Sequence, residues 1–499
     1  MSTQKLNSAR EYEREVGNSI ERESRPKFHL TPQVGWMNDP NGFSFYQGEY
    51  HLFYQNYPYD TVWNSMHWGH AVSKDLLHWR YLPSALAPDE AYDSFGCFSG
   101  SALELSDGRH LLMYTGVHKE GSNPELEIQE QCIAVGNGID YVKYENNPVL
   151  DKDCLPEKMS KSDFRDPKIW QEADGSFKCV VGSCDKDRKG AILLFSSKDG
   201  FEWKFESTLI DNNNGDYGLM WECPDFFALQ DKHVLLCSPQ DMMPEGKEYP
   251  NGNGTLCLIG NYDEIQKKFV YEKNQAVDYG VDFYAPQTMS APDGRRIMIA
   301  WMQNWDTSNQ SERYGRKWFG QMTLPRELTI KNGRLYQQPV RELELYRSNK
   351  VTHTNVAFCG ETTLEGIEGR IIDMEMVVRP QKKEKNYQKF EVRFAQDGRF
   401  KTSVSFRPKE AVLKIDRKFS GSRREYVHQR SCQVLGNSDE IKMRIILDRY
   451  SAEVFVNDGE EAMTLTFNTD LSAKGISFYA DGDVLMDITK YDLFAEETV

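Results

Sequence analysis

NDPNGFSFYQGEYHLFY, residues 38–54, decides the fold, because the chain repeats its pattern four more times. The later copies are FSGSALELSDGRHLLMY (98–114), RDPKIWQEADGSFKCVV (165–181), ECPDFFALQDKHVLLC (222–237) and FYAPQTMSAPDGRRIMIAW (283–301). Each reads as strand, tight turn, strand, with short apolar runs on either side of a Q-G or D-G type pair. With Pro40, Gly100, Pro167, Pro224 and Pro286 aligned, the copies stand 60, 67, 57 and 62 residues apart. Gly48, Gly108, Gly175, Lys232 and Gly294 then each fall eight positions later. A second marker runs in phase: Trp79, Tyr141, Trp203 and Phe269 are spaced by 62, 62 and 66. A four-strand unit recurring about every 60 residues is the size of a propeller blade. Five of them predict a five-bladed β-propeller whose innermost strands line a central axis.

The repeat predicts a propeller over residues 27–338 and a linker, VRELELYRSN among it, over 339–350. Beyond it, EVRF, TSVSF, KMRIIL, AEVFV and GISFY alternate differently and predict a β-sandwich over 351–499. The fold class is therefore all-β. Residues 1–26 are the exception: Tyr12, Val16 and Ile20 fall at i, i+4, i+8 behind a Ser8-x-x-Glu11 capping box, which predicts one amphipathic helix packed on the body or a partner subunit. In the segment 379–430 basic residues outnumber acidic ones. We read these as solvated strand faces in preference to an anion site.

The composition narrows the function. Among 499 residues, 60 Lys+Arg face 76 Asp+Glu, giving a formal charge of −16 and a pI near 5.3. That balance argues against nucleic acid or an anionic membrane as partner. No stretch has the length of a membrane span and MSTQKLNSAREYEREVG lacks the apolar core of a signal peptide, so a cytoplasmic location is expected. The ten cysteines are scattered singly, as in a reducing compartment. Homo-oligomerisation is left open.

The aligned strand starts carry the chemistry. Asp39 and Asp166 each precede the aligned proline directly, and Glu222 stands two residues before it. Carboxylates converging on one cavity shift one another's pKa, which suits acid and base work. Glycoside hydrolysis uses such a pair, one carboxylate attacking the anomeric carbon and one carboxylic acid donating to the leaving oxygen. Nearby Trp36, Trp63, Phe98, Tyr284, Trp301 and Trp305 suit the C–H faces of a sugar, and Asn38, Asn41, Gln55, Ser99 and Arg165 suit its hydroxyls. Read singly, each has a plainer explanation: Asp before Pro or Gly is ordinary turn chemistry, and most Trp and Phe are core. The combination across three blades is what favours catalysis. His67 and His70 lack any accompanying ligand pattern, and no phosphate-cradling or dinucleotide motif is present, so no metal and no cofactor are called for.

These residues also carry a family resemblance. WMNDPNG (36–42), QNYP (55–58), WGHAVSKDLLHW (68–79), FSGSA (98–102), FRDPK (164–168), WECPD (221–225) and DFYAPQ (282–287) resemble, in order, the motifs of glycoside hydrolase family 32, which holds invertases, sucrose-6-phosphate hydrolases and fructan hydrolases. LDRYSAEVFVNDGE (447–460) resembles that family's C-terminal sandwich. The resemblance implies that Asp39 is the nucleophile, Glu222 the general acid/base and Asp166 the carboxylate that holds fructose hydroxyls. It further implies that Asn38, Gln55, Trp63, Phe98, Ser99 and Arg165 line the fructose pocket, with Asp282 and Tyr284 from the fifth blade and Trp301 or Trp305 completing it. The expected substrate is sucrose, sucrose 6-phosphate or a short fructooligosaccharide. The competing readings are an inverting arabinan or xylan glycosidase on the same architecture, and a non-catalytic glycan-binding protein.

Overall fold

The computed structural model describes all residues except 1–2, 122, 214–216, 309–314, 383–384, 422–426, 436–439 and 495–499. Five four-stranded antiparallel sheets follow one another in the chain, each ordered from the inside outward. Blade I runs Gly35–Tyr46, Glu49–Tyr57, His67–Ser73 and Trp79–Leu86. Blade II runs Gly96–Glu104, His110–Glu120, Asn123–Gly136 and Tyr141–Lys143. Blade III runs Met159–Gln171, Phe177–Asp185, Gly190–Ser197 and Trp203–Asp211. Blade IV runs Met220–Leu229, Lys232–Gln240, Leu256–Asp263 and Lys268–Ala276. Blade V runs Tyr284–Ser290, Arg296–Trp301, Arg326–Lys331 and Arg334–Pro339. The spaced glycines Gly48, Gly108, Gly175 and Gly294 all have φ between 81° and 87°, a conformation the first hairpin of each blade requires and glycine adopts without strain. In blade IV, Gln230 takes the positive φ instead.

Because both faces of a blade are covered by its neighbours, the middle strands read as continuous apolar runs. One buried cluster joins blades II and III through Leu111, Met113, Ile133, Ile169, Val181 and Leu193, and another joins blades IV and V through Val234, Leu236, Ile259, Met298 and Ala300. The ring closes where a two-residue strand, Trp318–Phe319, pairs in parallel with Gly35–Trp36 of blade I. This short strand comes from the connection between the second and third strands of blade V.

After Pro339 a 3₁₀ turn, Arg341–Tyr346, leads into the first strand of the C-terminal domain, Arg347–Thr362, which takes in the last four residues of the expected linker. The domain is a sandwich-like barrel sheet organised on a 19-residue strand, Gly475–Leu493. The first part of that strand pairs with Lys389–Gln396 and the second part with Ile372–Pro380. The inner faces form one apolar cluster that includes Phe390, Val392, Phe406, Met374, Ile445 and Val454.

A buried ionic network ties this domain to the propeller. His29 bonds Asp448 through Nδ1 (2.8 Å) and Glu453 through Nε2 (3.0 Å), and Arg326 of blade V bonds both Glu453 and Asp278. Burial opposes a charge on His29, but the hydrogen bonds its ring donates to the two carboxylates outweigh it and push its pKa up to about 9.

The N-terminal helix forms, but on a different face from the predicted one. It runs Gln4–Tyr12 and is capped by Thr3, whose Oγ1 accepts from Leu6 N; Ser8 lies inside it, and a wider turn, Glu13–Gly17, continues it. The buried positions are Leu6, Ala9, Glu13 and Gly17, while Tyr12, Val16 and Ile20 stay half-exposed. Polar bonds to the outermost strand of blade I set this register: Glu13 accepts from Ser84 N (3.1 Å) and its hydroxyl, and Arg10 donates to Ser84 O (2.9 Å). No helix among the described residues is long and apolar enough to cross a membrane.

Candidate active site

All five inner strands carry one extra residue at the same place. The register against the second strand slips between Met37 and Pro40, Phe98 and Gly100, Arg165 and Lys168, Glu222 and Asp225, and Tyr284 and Gln287. A bulge re-aims the side chains beside it. In blades III, IV and V the residue before the proline adopts positive φ, at 66° for Asp166, 49° for Cys223 and 51° for Ala285, a strained conformation for non-glycine residues that clusters at functional sites. Pro40, Gly100, Pro167, Pro224 and Pro286 together line a small axial cavity beneath the bulges. Glycine stands in blade II because a Cβ there would lie 2.0 Å from Met113 O.

The bulges present two tiers of side chains. The inner tier, one residue before the aligned position, is Asp39, Ser99, Asp166, Cys223 and Ala285. Ser99 Oγ donates to Asp39 Oδ2 at 2.7 Å, and the Cys223 sulfur lies 3.6 Å from Oδ2 of both Asp39 and Asp166. Cys223 N also donates to Asp166 Oδ2 at 2.9 Å. The outer tier is Asn38, Phe98, Arg165, Glu222 and Tyr284. Here Arg165 donates to Glu222 Oε1 from Nε (3.1 Å) and Nη2 (2.9 Å), and the Tyr284 hydroxyl donates to Glu222 Oε2 at 2.6 Å. Asp39 Oδ1 is buried and accepts no hydrogen bond. The site thus holds, on the axis, Asp39 with its Oδ1 unengaged and Asp166 bonded through Oδ2, and, one tier out, Glu222 gripped by donors from two other blades.

Burial and then the charge of Glu222 raise the pKa of Asp39 above the usual carboxylate value. Burial likewise raises Asp166 to about 7, the adjacent Arg165 opposing and the charges of Glu222 and Asp39 adding to it. Burial, followed by the charges of Asp166, Asp39 and Glu222, holds the Cys223 thiol well above its ordinary range, so it stays a neutral donor. Since Asp166 titrates near 7 when folded and 3.8 is its ordinary value, the folded protein takes up its proton between those limits. The charge therefore costs stability above about pH 7, and the cost vanishes near pH 4. Asp166→Asn is expected to raise the melting temperature by roughly 1–4 °C at pH 8 and not at pH 4. A scan of both proteins by calorimetry checks it, and equal midpoints at pH 8 would contradict it.

Other residues singled out in the sequence fall at graded distances from this centre. Gln55 is buried and donates to Cys97 O, and Asn38 Oδ1 accepts from the Trp36 indole at 2.7 Å. Trp63 is 37% exposed and meets Phe98 edge to face, 5.8 Å between ring centres, at the rim. Trp36 lies between Trp305 and Phe319, and Trp301 is fully buried behind them. Trp305, only partly buried, is therefore the indole of the two that faces outward.

Asp282, expected to bind sugar, does not reach the cavity. It has no exposed surface; Thr307 engages its Oδ1, and Arg417 and Thr466 of the sandwich engage its Oδ2. Residues that sequence reasoning passed over stand behind the two tiers. Gln129 Oε1 accepts from Arg165 Nη1 and Phe164 N, Asp163 accepts from Arg165, and Thr115 Oγ1 accepts from Asp166 N. They lie on second strands, third strands or strand starts with no motif of their own; only adjacency to FRDPK marked Asp163.

Carboxylates in two tiers at the mouth of a five-bladed propeller are the arrangement that acid and base chemistry on a glycoside needs, and the chain's relatives identify its family. Residues 29–339 match the glycosyl hydrolases family 32 N-terminal domain and residues 342–493 the family 32 C-terminal domain. The chain is 36% identical to the sucrose-6-phosphate hydrolase of Zymomonas mobilis, over 93% of this chain and 91% of that one. It is 36% identical to the raffinose invertase of Escherichia coli, over 92% of this chain and 93% of that one. Among solved structures, a GH32 beta-fructofuranosidase mutant from Bombyx mori in complex with sucrose superposes with a TM-score of 0.81 at 32% identity, covering 99% of both chains. The chain belongs to glycosyl hydrolase family 32. Within that family it is an enzyme of the beta-fructofuranosidase type.

Proposed function

We propose that the protein is a retaining hydrolase of the terminal β-D-fructofuranoside bond of sucrose, sucrose 6-phosphate or short fructooligosaccharides. The observation that carries this reading is the Asp39 carboxylate, with Oδ2 held by Ser99 and Cys223 and Oδ1 buried without a partner. Asp39 Oδ1 attacks C2 of the fructosyl unit and forms a covalent ester while the bond from C2 to the leaving-group oxygen breaks. Glu222 gives its proton to that oxygen, then takes one from the water that attacks C2 and releases fructose. Asp166 holds fructose hydroxyls, and Arg165 and Tyr284 keep Glu222 on the leaving-group side. The ten unpaired cysteines support a cytoplasmic setting for this reaction.

Two displacements at C2 return the starting configuration, so the first product observed by NMR, before mutarotation, is expected to be β-fructose. First-formed α-fructose would overturn the nucleophile. Comparing kcat/KM on sucrose, its 6-phosphate and kestose identifies the preferred leaving group, because that ratio reports differential transition-state binding.

A further inference from the structure

Among the described residues of the sandwich's basic segment, the Arg417 side chain is buried instead of lying on a solvated face. Arg417 is 1% exposed, and its Nη1 bonds Asp282, a residue of the connection into blade V that is itself fully buried. The guanidinium is fixed on its own domain by Val427 O (3.2 and 3.1 Å) and Thr466 O (3.0 Å). Thr466 adds its backbone N–H (2.6 Å) and hydroxyl (2.8 Å) to the same Asp282 oxygen. The other oxygen, Oδ1, lies 3.0 Å from the Thr307 hydroxyl. That hydroxyl accepts from Asn304 N (3.2 Å), and Asn304 Oδ1 accepts from Asp306 N (2.9 Å). Trp305 sits inside this turn, its ring stacked at 6.2 Å and 18° on Trp36, whose indole N–H bonds Asn38 beside Asp39.

We infer that Arg417 is a positioning residue: acting through Asp282 and Thr307, the sandwich sets the turn that places Trp305 against Trp36 and so builds one wall of the fructose pocket. The physical reason is that a buried carboxylate takes a defined place only when its partners do. Here one oxygen is fixed by the second domain and the other holds the turn. The three acidic groups of the chemistry stand on blades I, III and IV with bonds of their own, and Tyr284 is held separately by Ser238 O and by pairing with Trp301. Disturbing the turn therefore weakens sugar binding without disarming the reacting groups.

The inference rests on the axial site being a fructoside site. Turnover of sucrose by the unaltered protein tests that reading alone, and the variants test the inference. Arg417→Met is expected to raise the KM for sucrose and the inhibition constant of fructose together, by about tenfold, with kcat held within about threefold. Arg417→Lys keeps a cation and should recover most of the loss. Thr307→Val cuts the link to the turn while leaving the ion pair and the domain contact intact. It should move KM and the fructose constant in the same direction at an unchanged melting temperature. If Arg417→Met fails to fold, Thr307→Val carries the test. Folded variants with wild-type KM, or with a raised KM and an unaltered fructose constant, overturn the inference, as does a fall in kcat alone.

Discussion

Asp39→Asn is expected to lower kcat on sucrose by roughly 10⁴- to 10⁶-fold, the largest effect of any single substitution in this protein. The amide keeps the size of the carboxylate and can still accept from Ser99, so folding and sugar binding should survive. What it lacks is the lone pair of an anion at Oδ1, without which no ester to C2 forms. The unaltered enzyme should show the same requirement on its acid side. Burial and the charge of Glu222 raise the Asp39 pKa, so kcat/KM should fall as pH drops through a value above the ordinary carboxylate range. Rate measurements on freshly purified variant, with its melting temperature recorded alongside, separate lost chemistry from lost structure. A variant retaining a tenth of the activity would remove Asp39 from the nucleophile's role.

Glu222→Gln should cost about 10²- to 10⁴-fold on sucrose, the range of general acid catalysis. Glutamine preserves an acceptor for Arg165 and a partner for the Tyr284 hydroxyl, so the side chain stays where it is while losing the proton it must deliver. The deficit ought to shrink on an activated fructoside whose leaving group departs unaided. In that case fructosyl-enzyme accumulates, since the second step still needs a base to deprotonate water. Equal losses on both substrates would argue that Glu222 only binds.

The propeller was legible because its signal is redundant. A glycine with φ above 80° at the same aligned offset in four of five blades reports a local backbone requirement that packing cannot override. The proposed catalytic trio stands out for a related reason, since Asp39 and Asp166 directly precede the aligned proline and Glu222 lies one position earlier. What sequence could not give were contacts between residues far apart in the chain. Asp282 reads like its neighbours at the site until Arg417, from a domain that begins some sixty residues later, claims it. The helix register went astray because hydrophobic periodicity has no way to count Glu13 as a buried residue, whereas the Ser84 hydroxyl and N–H make it one. Trp301 and Trp305 are indistinguishable as letters. Only the pairing of Trp301 with Tyr284 puts one inside the sheet and leaves the other on a turn.

The way the ring shuts bears on how the enzyme comes to life. Every blade is contiguous in sequence, so each can form as soon as its own sixty or so residues are available, and among the described residues the strand pairing across the seam is the two-residue ribbon Trp318–Phe319 on Gly35–Trp36. The carboxylates that lock that seam, Asp448 on His29 and Glu453 on both His29 and Arg326, come from the far end of the chain. A growing polypeptide can thus carry four finished blades with Asp39, Asp166 and Glu222 on them and still lack Tyr284 of blade V, whose hydroxyl donates to Glu222 Oε2. Turnover is consequently a late clock of biogenesis, starting after secondary structure has matured and waiting on contacts that span 419 and 424 residues of sequence.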